Sequence, residues 1–510
     1  MKKNPSLVAN VMSNWVSMSV NIITSFFLTP YIILKLGKEG YGIWVLVLSV
    51  VGYYGLLDLG LHSATIRFAA YYIGRKDYIS LNKTVNTSLG MFSFLGLVII
   101  ALSFLLSPLL PDFFKVNDRQ SNEFQSMLLL VGISVGIGFG RRVFDATIMA
   151  CERFVLLNIL SSFFLIIRTI ATFAVLWVGL GLIGIGWVEL GIEVLNFTSK
   201  LITILGIEKR IKLSLVDAQK KMAAVLLRFG GVTFITLLGD MLRFGVGSVI
   251  VGRFINLEAV SIYGIAYTLV NLFLRISNAC TVVTFPRLSV LAGSDMDSFR
   301  LNYLKYSHLT ALLITGIAVE LVLLSPDFIR LWVGEAFRDA VPITAILAVS
   351  LSTDFATSVS INALKALDKQ RYYAIQTIIE GGINLILSLI LVRYLGLVGV
   401  ALGTAIPLLI VKIFVQPIYT SGIVGVSLHS YFIKTIIQPI GLGLFIFALF
   451  YFTGILGNCE SYLNLVIKGI VIGCAFIAVT FFTAISEADR LRLRLWIAEK
   501  YASFCRENEI

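Results

Sequence analysis

The sequence predicts an all-α integral membrane protein of about 14 transmembrane helices, built as two six-helix pseudo-symmetric lobes plus two C-terminal helices. Three observations carry that prediction. The 510 residues are 58% hydrophobic and only 14% charged, with a mean hydropathy of +0.91, whereas a soluble domain carries about 25% charge. The apolar runs are each long enough to supply the roughly 20 residues that cross a bilayer. The chain also repeats itself at an offset near 220: Arg67, Asp77, Leu81 and Asn82 recur as Arg287, Asp297, Leu301 and Asn302. The Ser107-Pro108 segment recurs at Ser325-Pro326, the GLIG at Gly181 as GLVG at Gly396, and Glu152-Arg153-Phe154 as Gln370-Arg371-Tyr372. Tandem repeats of this kind line a shared cavity in many transporters.

Reading apolar runs against charged interruptions places spans near 11–34, 40–61, 85–110, 125–147, 154–178, 181–205, 226–252, 258–284, 306–325, 341–363, 372–392, 396–419, 435–456 and 463–485. All are helical, because lipid tolerates no unsatisfied backbone. The corresponding organisation is an N-terminal lobe over 1–205, a basic cytoplasmic linker over 206–225 and a C-terminal lobe over 226–424. Two extra helices follow over 425–486, and a cytoplasmic amphipathic tail over 487–510. The tail, DRLRLRLWIAEKYASF, suits a basic helix lying on the membrane surface. With the N-terminus inside, inner segments hold 27 of the 41 Lys and Arg residues and outer loops hold eight, which predicts cytoplasmic termini. The net charge of +12 then belongs to the inner membrane face and calls for no nucleic acid.

Several chemistries find no support. The N-terminal segment leads into a long span without a small-residue cleavage site and reads as an uncleaved anchor. The five cysteines (151, 280, 459, 474 and 505) are scattered without a CxxC, so neither a disulfide framework nor a thiolate metal site is expected. No phosphate-binding GxxxxGK[ST] loop occurs. No metal or cofactor is expected, apart from coupling to H⁺ or Na⁺.

What remains is polar chemistry inside the spans, where ionisable groups are costly and therefore candidates for function. Asn10, Asn14, Asn21 and Thr24 form a stripe on the first span, and Asp58 ends the second. Arg168 sits in the fifth, and Glu189, Glu193, Asn196 and Lys200 share one face of the sixth. The seventh carries Asp240 and Arg243, the eighth Tyr263, Tyr267, Asn271 and Arg275 at four-residue steps. The tenth carries Ser350, Asp354, Ser358 and Asn362, the eleventh Gln376, Glu380 and Asn384, and the twelfth Lys412. Asp240 with Arg243, or Glu193 with Lys200, also suits a structural ion pair, and single Asn or Ser residues suit helix–helix hydrogen bonding. Together the stripes predict a hydrated cavity. Its substrate-binding candidates are Arg168, Arg243, Arg275, Lys412, Tyr263, Tyr267 and Asn271, since an arginine fork fits phosphate and tyrosine faces fit sugar rings. Asp58, Glu189, Glu193, Asp354 and Glu380 are the ion-coupling candidates.

The stretch FLTPYIILKLGKEGYGIWVLVLSVVGYYGLLDLGL (Phe27–Leu61), followed by SATIRFAA (Ser63–Ala70), resembles the opening of bacterial polysaccharide-export flippases. These are the O-antigen and capsule-unit flippases of the multidrug/oligosaccharidyl-lipid/polysaccharide exporter superfamily. The later GLGLIGIGWVEL and YLGLVGVALGTA are similar to that superfamily's segments before its sixth and twelfth helices. The resemblance implies a non-enzymatic carrier in the bacterial inner membrane with alternating access. Its implied cargo is undecaprenyl-pyrophosphate-linked oligosaccharide for O-antigen, capsule or exopolysaccharide (lipopolysaccharide among them), with a polymerase and a chain-length regulator as partners. Two other readings share the fold: a cation-coupled multidrug antiporter and a peptidoglycan-precursor flippase. A membrane glycosyltransferase or polymerase would rest on Asp295-Met296-Asp297, a DxD able in principle to hold a metal–sugar nucleotide.

Overall fold

The computed structural model describes residues 7–214, 218–281, 284–454, 457, 459–484 and 490, without the side chains at 7, 8, 11, 232 and 274–281. Apolar periodicity yields helix throughout, and the described residues contain no strand. In chain order the helices are α1 (Leu7–Gly52), α2 (Leu61–Gly74), α3 (Tyr78–Leu106), α4 (Leu110–Phe113), α5 (Asp118–Ala150), α6 (Phe154–Trp177) and α7 (Gly181–Ile207). Then come α8 (Lys220–Asp240), α9 (Val246–Phe254), α10 (Leu257–Thr281), α11 (Thr284–Ser294), α12 (Met296–Val333), α13 (Ala340–Ala356) and α14 (Ser358–Ala366). The last are α15 (Gln370–Ile410), α16 (Gln416–Val424), α17 (Leu428–Tyr431), α18 (Gln438–Thr453) and α19 (Tyr462–Thr483). π-Helical turns at Met241–Gly245, Val411–Val415 and Phe432–Ile437 link α8 to α9, α15 to α16 and α17 to α18.

Among the described residues, eleven segments are long and apolar enough to cross a membrane, and Leu257–Phe273 is a shorter apolar helix. Two of the eleven are broken internally, at Gly37 (φ 71°) in α1 and Gly396 (φ 56°) in α15. Each break divides one long helix into the two spans read from the sequence, which brings the total to the expected fourteen.

The internal repeat reappears in the backbone. Gly181 (φ 59°) opens the sixth span and Gly396 opens the twelfth, both in the left-handed region that costs glycine nothing. Asp77 caps α3 by accepting from the Ser80 amide at 3.0 Å. The cap equivalent to it is Asp295, two residues before the sequence match at Asp297, and it accepts from the Asp297 and Ser298 amides at 3.0 Å. Asp297 instead pairs with Arg300 at 2.9 Å. The DxD is thus a helix cap and a surface ion pair, and no group of three or more metal-ligating side chains occurs among the described residues.

The chain forms two compact units, Met1–Leu272 with Gln370–Pro407, and Phe273–Lys369 with Leu408–Ile510. In the first, α5 packs between α3 and α7. Small residues set that distance: a Cβ at Gly96 would lie 2.3 Å from the Gly136 carbonyl oxygen, a close approach that only glycine permits. The basic linker is pinned to α3. Asn82 Nδ2 donates to the Arg210 carbonyl at 2.9 Å and its Oδ1 accepts from the Lys212 amide at 2.7 Å. Asn86 repeats the arrangement on the Lys212 carbonyl (2.8 Å) and the Ser214 amide (3.1 Å). The two amide side chains therefore act as a strand would, pairing one edge of an extended segment. In the second unit α12 is central, packed by α13, α18 and α19. Tyr303 and Tyr431 stack at 5.9 Å and share the Ser360 hydroxyl. Of the C-terminal tail (487–510), all but Arg490 falls outside the described residues.

Candidate functional site

The first unit concentrates its charge where α2, α5, α6 and α7 meet. Arg141 and Arg142 lie about two and a half turns before the end of α5 because that helix runs on to Ala150. Arg141 donates through Nη1 to Asp145 and through Nε to Glu193, both at 2.5 Å. Lys200 Nζ holds the other Asp145 oxygen at 2.6 Å. Arg142 Nη1 donates to Asp58 at 2.5 Å, and Asp58 also accepts from the His62 amide at 3.1 Å. Arg168 reaches Glu189 at 3.4 Å. Two cavities of about 350 Å³ each adjoin this network and share Arg141, Ser161 and Lys200 in their walls.

Four cations face four carboxylates, so the formal charge cancels. Their exposure does not. The side chains of Arg168, Arg142 and Arg141 are 39%, 33% and 22% exposed. Those of Asp58, Asp145, Glu193 and Glu189 are 8%, 14%, 16% and 17% exposed. The carboxylates are thus turned into the protein, each satisfied by a guanidinium or ammonium. The arginines keep further N–H donors on the cavity side. A guanidinium has five such donors in a planar fork matched to phosphate oxygens, so this surface attracts an anion. Burial holds the His62 imidazole below its ordinary pKa against the opposing pull of Asp58, and its Nδ1 lies 3.2 Å from the Arg142 carbonyl.

The sequence-predicted residues fall into distinct places. Asp58, Arg168, Glu189 and Glu193 meet in the cluster just described, as does the Lys200 of the same stripe. Arg243 and Glu380 form a second cluster in the same unit, Nε to Oε1 at 2.6 Å with both side chains 1% exposed. Asp240 joins at 3.5 Å, and Asn384 Nδ2 donates to the Arg243 carbonyl at 2.6 Å. That enclosure makes a helix-to-helix tie between the π-helical turn after α8 and α15. Tyr263 is buried, its hydroxyl against Gly247. Asn271 donates to the carbonyl of Tyr267 within α10. The Arg275 side chain lies outside the described residues.

Asp354 and Lys412 belong to the second unit, joined at 2.7 Å, with Lys412 also donating to Gln416 at 2.9 Å. Lys412 lies at the wall of a mainly apolar cavity of about 430 Å³ whose lining also includes Ser352 and Thr357. Asp354 stands on the tenth span and Lys412 on the twelfth, the fourth and sixth of their copy. Lys200 and Asp145 occupy the sixth and fourth of the first copy. The same buried ion pair therefore recurs in both repeats.

Sequence reading missed Arg141, Arg142, Asp145 and His62. The first two fall inside the span read at 125–147 yet count with the inner-face cations because a double arginine follows an apolar run. The available signal was the i, i+4 spacing of Arg141 and Asp145, which continues the helical period.

Residues 35–342 match the family of polysaccharide biosynthesis proteins. The chain belongs to that family. It is 22% identical over 499 residues to the Bacillus subtilis membrane protein EpsK, covering 94% of this chain and 96% of that one. It is also 22% identical over 419 residues to a Shigella flexneri protein named as an O-antigen transporter, covering 81% and 98%. Its fold is similar to that of a solved structure of the lipid II flippase MurJ, itself described as inward closed, with a TM-score of 0.73 at 17% identity, covering 93% of this chain and 99% of that chain. The resemblance carried by Phe27–Ala70 is thereby borne out at the level of the family, and the chain is a multi-pass membrane protein.

Proposed function

We propose that the protein is a flippase that moves undecaprenyl-pyrophosphate-linked oligosaccharide from the inner to the outer leaflet of the bacterial cytoplasmic membrane. The observation that carries this reading is the arginine-edged cavity of the first unit, in which every carboxylate is turned inward and already paired. Arg141, Arg142 and Arg168 supply donors to a pyrophosphate, while Ser17, Asn21, Ser161 and Asn196 on the same walls offer hydrogen bonds to sugar hydroxyls. Arg243, enclosed with Glu380, serves as a structural tie rather than a head-group ligand. Two six-helix lobes (1–205 and 226–424) alternate access to the two faces, with both termini cytoplasmic and the cycle coupled to H⁺ or Na⁺. The protein performs no covalent chemistry, and it hands its cargo to a polymerase governed by a chain-length regulator.

A multidrug antiporter would need exposed carboxylates to attract organic cations, the reverse of the exposures found here. Native mass spectrometry of the purified protein with polyprenyl pyrophosphate tests the reading. Wild type retains the lipid, and Arg141→Ala with Arg168→Ala releases it. Equal retention of polyprenyl alcohol would remove the pyrophosphate from the mechanism.

A further inference from the structure

Among the described residues, one intramembrane carboxyl is unlike the others. Asp58, Asp145, Glu189, Glu193, Asp240, Asp327, Asp354 and Glu380 each have a cationic partner within 3.5 Å. Glu320, on α12, has neither an ion pair nor a hydrogen bond among the described residues. It sits within the helix–helix contact that docks α19. Gly469 and Gly473 form a GxxxG face on α19: a Cβ at Gly473 would lie 2.5 Å from Glu320 Oε1, and one at Gly469 3.4 Å from Leu324. One turn further along, a Cβ at Gly316 would lie 2.9 Å from the Phe476 ring. The contact is otherwise apolar. One end of it is closed by Lys468 on Asp327 at 2.9 Å, seven residues or about 10 Å along α12 from Glu320.

The charged groups on neighbouring elements are committed elsewhere or distant. On α19, Lys468 is taken by Asp327 and the Gly457 carbonyl. No charged residue occurs on α18. The one acid of α13, Asp354, is held by Lys412. Arg287 on α11, Lys365 on α14, His429 on α17 and Lys434 in the π-helical turn before α18 stand on other elements, and none forms an ion pair with Glu320. Glu335 lies beyond the other end of α12, and Arg330 pairs with Asp327. His308 binds the carbonyls of Lys434 and Ala484, twelve residues from Glu320.

A carboxylate left in such surroundings without a cation would lose its hydration uncompensated, so the neutral acid is the stable form. We infer that Glu320 is a proton-binding site. The carboxylate takes up H⁺ from water when exposed and carries it as the neutral acid while docked over Gly473. It releases that proton when α19 loosens from α12. No other bond is made or broken. Proton binding stands on the geometry alone; its place in a transport cycle rests on the flippase reading and selects H⁺ as the coupling ion.

Infrared difference spectroscopy of the full-length protein in nanodiscs, together with translocation in proteoliposomes, tests this. At neutral pH wild type shows a protonated-carboxyl C=O band, Glu320→Gln removes it, and Glu320→Asp retains it. A transmembrane pH gradient accelerates translocation of lipid-linked oligosaccharide by wild type and Glu320→Asp. Glu320→Gln keeps its gradient-free rate and loses the acceleration. A band unchanged in Glu320→Gln, or an acceleration of equal size, overturns the inference. If wild type moves no lipid-linked oligosaccharide, the flippase reading falls while the infrared result still decides the proton site.

Discussion

Replacing Lys200 with Met removes one half of a buried ion pair and leaves its neighbours in place. Lys200 is 2% exposed and sits 2.6 Å from Asp145, so its ammonium is almost wholly desolvated. Removing one partner of a fully isolated buried pair costs about 3–5 kcal/mol. Asp145 is not isolated, because Arg141 holds its other oxygen at 2.5 Å. The expected loss is therefore that of one charged hydrogen bond, about 1.5–3 kcal/mol. The second change, Asp145→Asn, leaves Arg141 satisfied by Glu193 at 2.5 Å and restores the neutral sum of the cluster. The double variant Lys200→Met/Asp145→Asn then recovers at least half of the loss. Thermal unfolding midpoints in detergent, measured as a double-mutant cycle, read the coupling. Strictly additive effects, or a Lys200→Met variant as stable as wild type, would refute the claim that the pair is a coupled, desolvated unit.

Asn82→Ala with Asn86→Ala frees four backbone groups of the linker, and limited proteolysis within 208–214 should become faster while the helical content is retained. Asp295→Ala removes a cap that satisfies two amides, costing about 1 kcal/mol, and leaves export at wild-type level; loss of export with full stability would reopen a metal-sugar role for the DxD. His62 is held below its ordinary pKa of about 6.5, so the unfolded chain binds more protons in the window just below that value. Stability should therefore rise with pH through that window and be fully present above it, and His62→Gln should flatten that part of the profile measured by chemical denaturation.

Composition and periodicity were enough to reveal the membrane class and the number of crossings, because each span must be apolar over its whole length. The gaps between spans at 35–39 and 393–395 fall at or beside Gly37 and Gly396, where two spans share one nearly continuous helix. Pairing between helices was harder to read. Arg243 and Glu380 lie far apart in sequence, and nothing in either stripe showed that they would close on each other instead of opening onto water. Tyr263 was read as a sugar platform because four-residue steps fix a face but not what that face meets, and Gly247 meets it. The Arg141–Arg142 pair was hidden by a charge-based boundary, since a helix that continues past the apolar run carries its charges into the cavity wall. Glu320 carried no stripe at all. Its distinction is the absence of a partner, visible only once α19 is in place.

The head-group site is tested most directly by translocation in proteoliposomes of purified protein supplied with fluorescent polyprenyl-pyrophosphate-linked oligosaccharide. Wild type should deliver the lipid to the opposite leaflet, and the Arg141→Ala/Arg142→Ala/Arg168→Ala variant should insert and fold yet deliver none. Delivery by that triple variant at the wild-type rate would contradict the arginine-edged cavity as the place where the cargo is held.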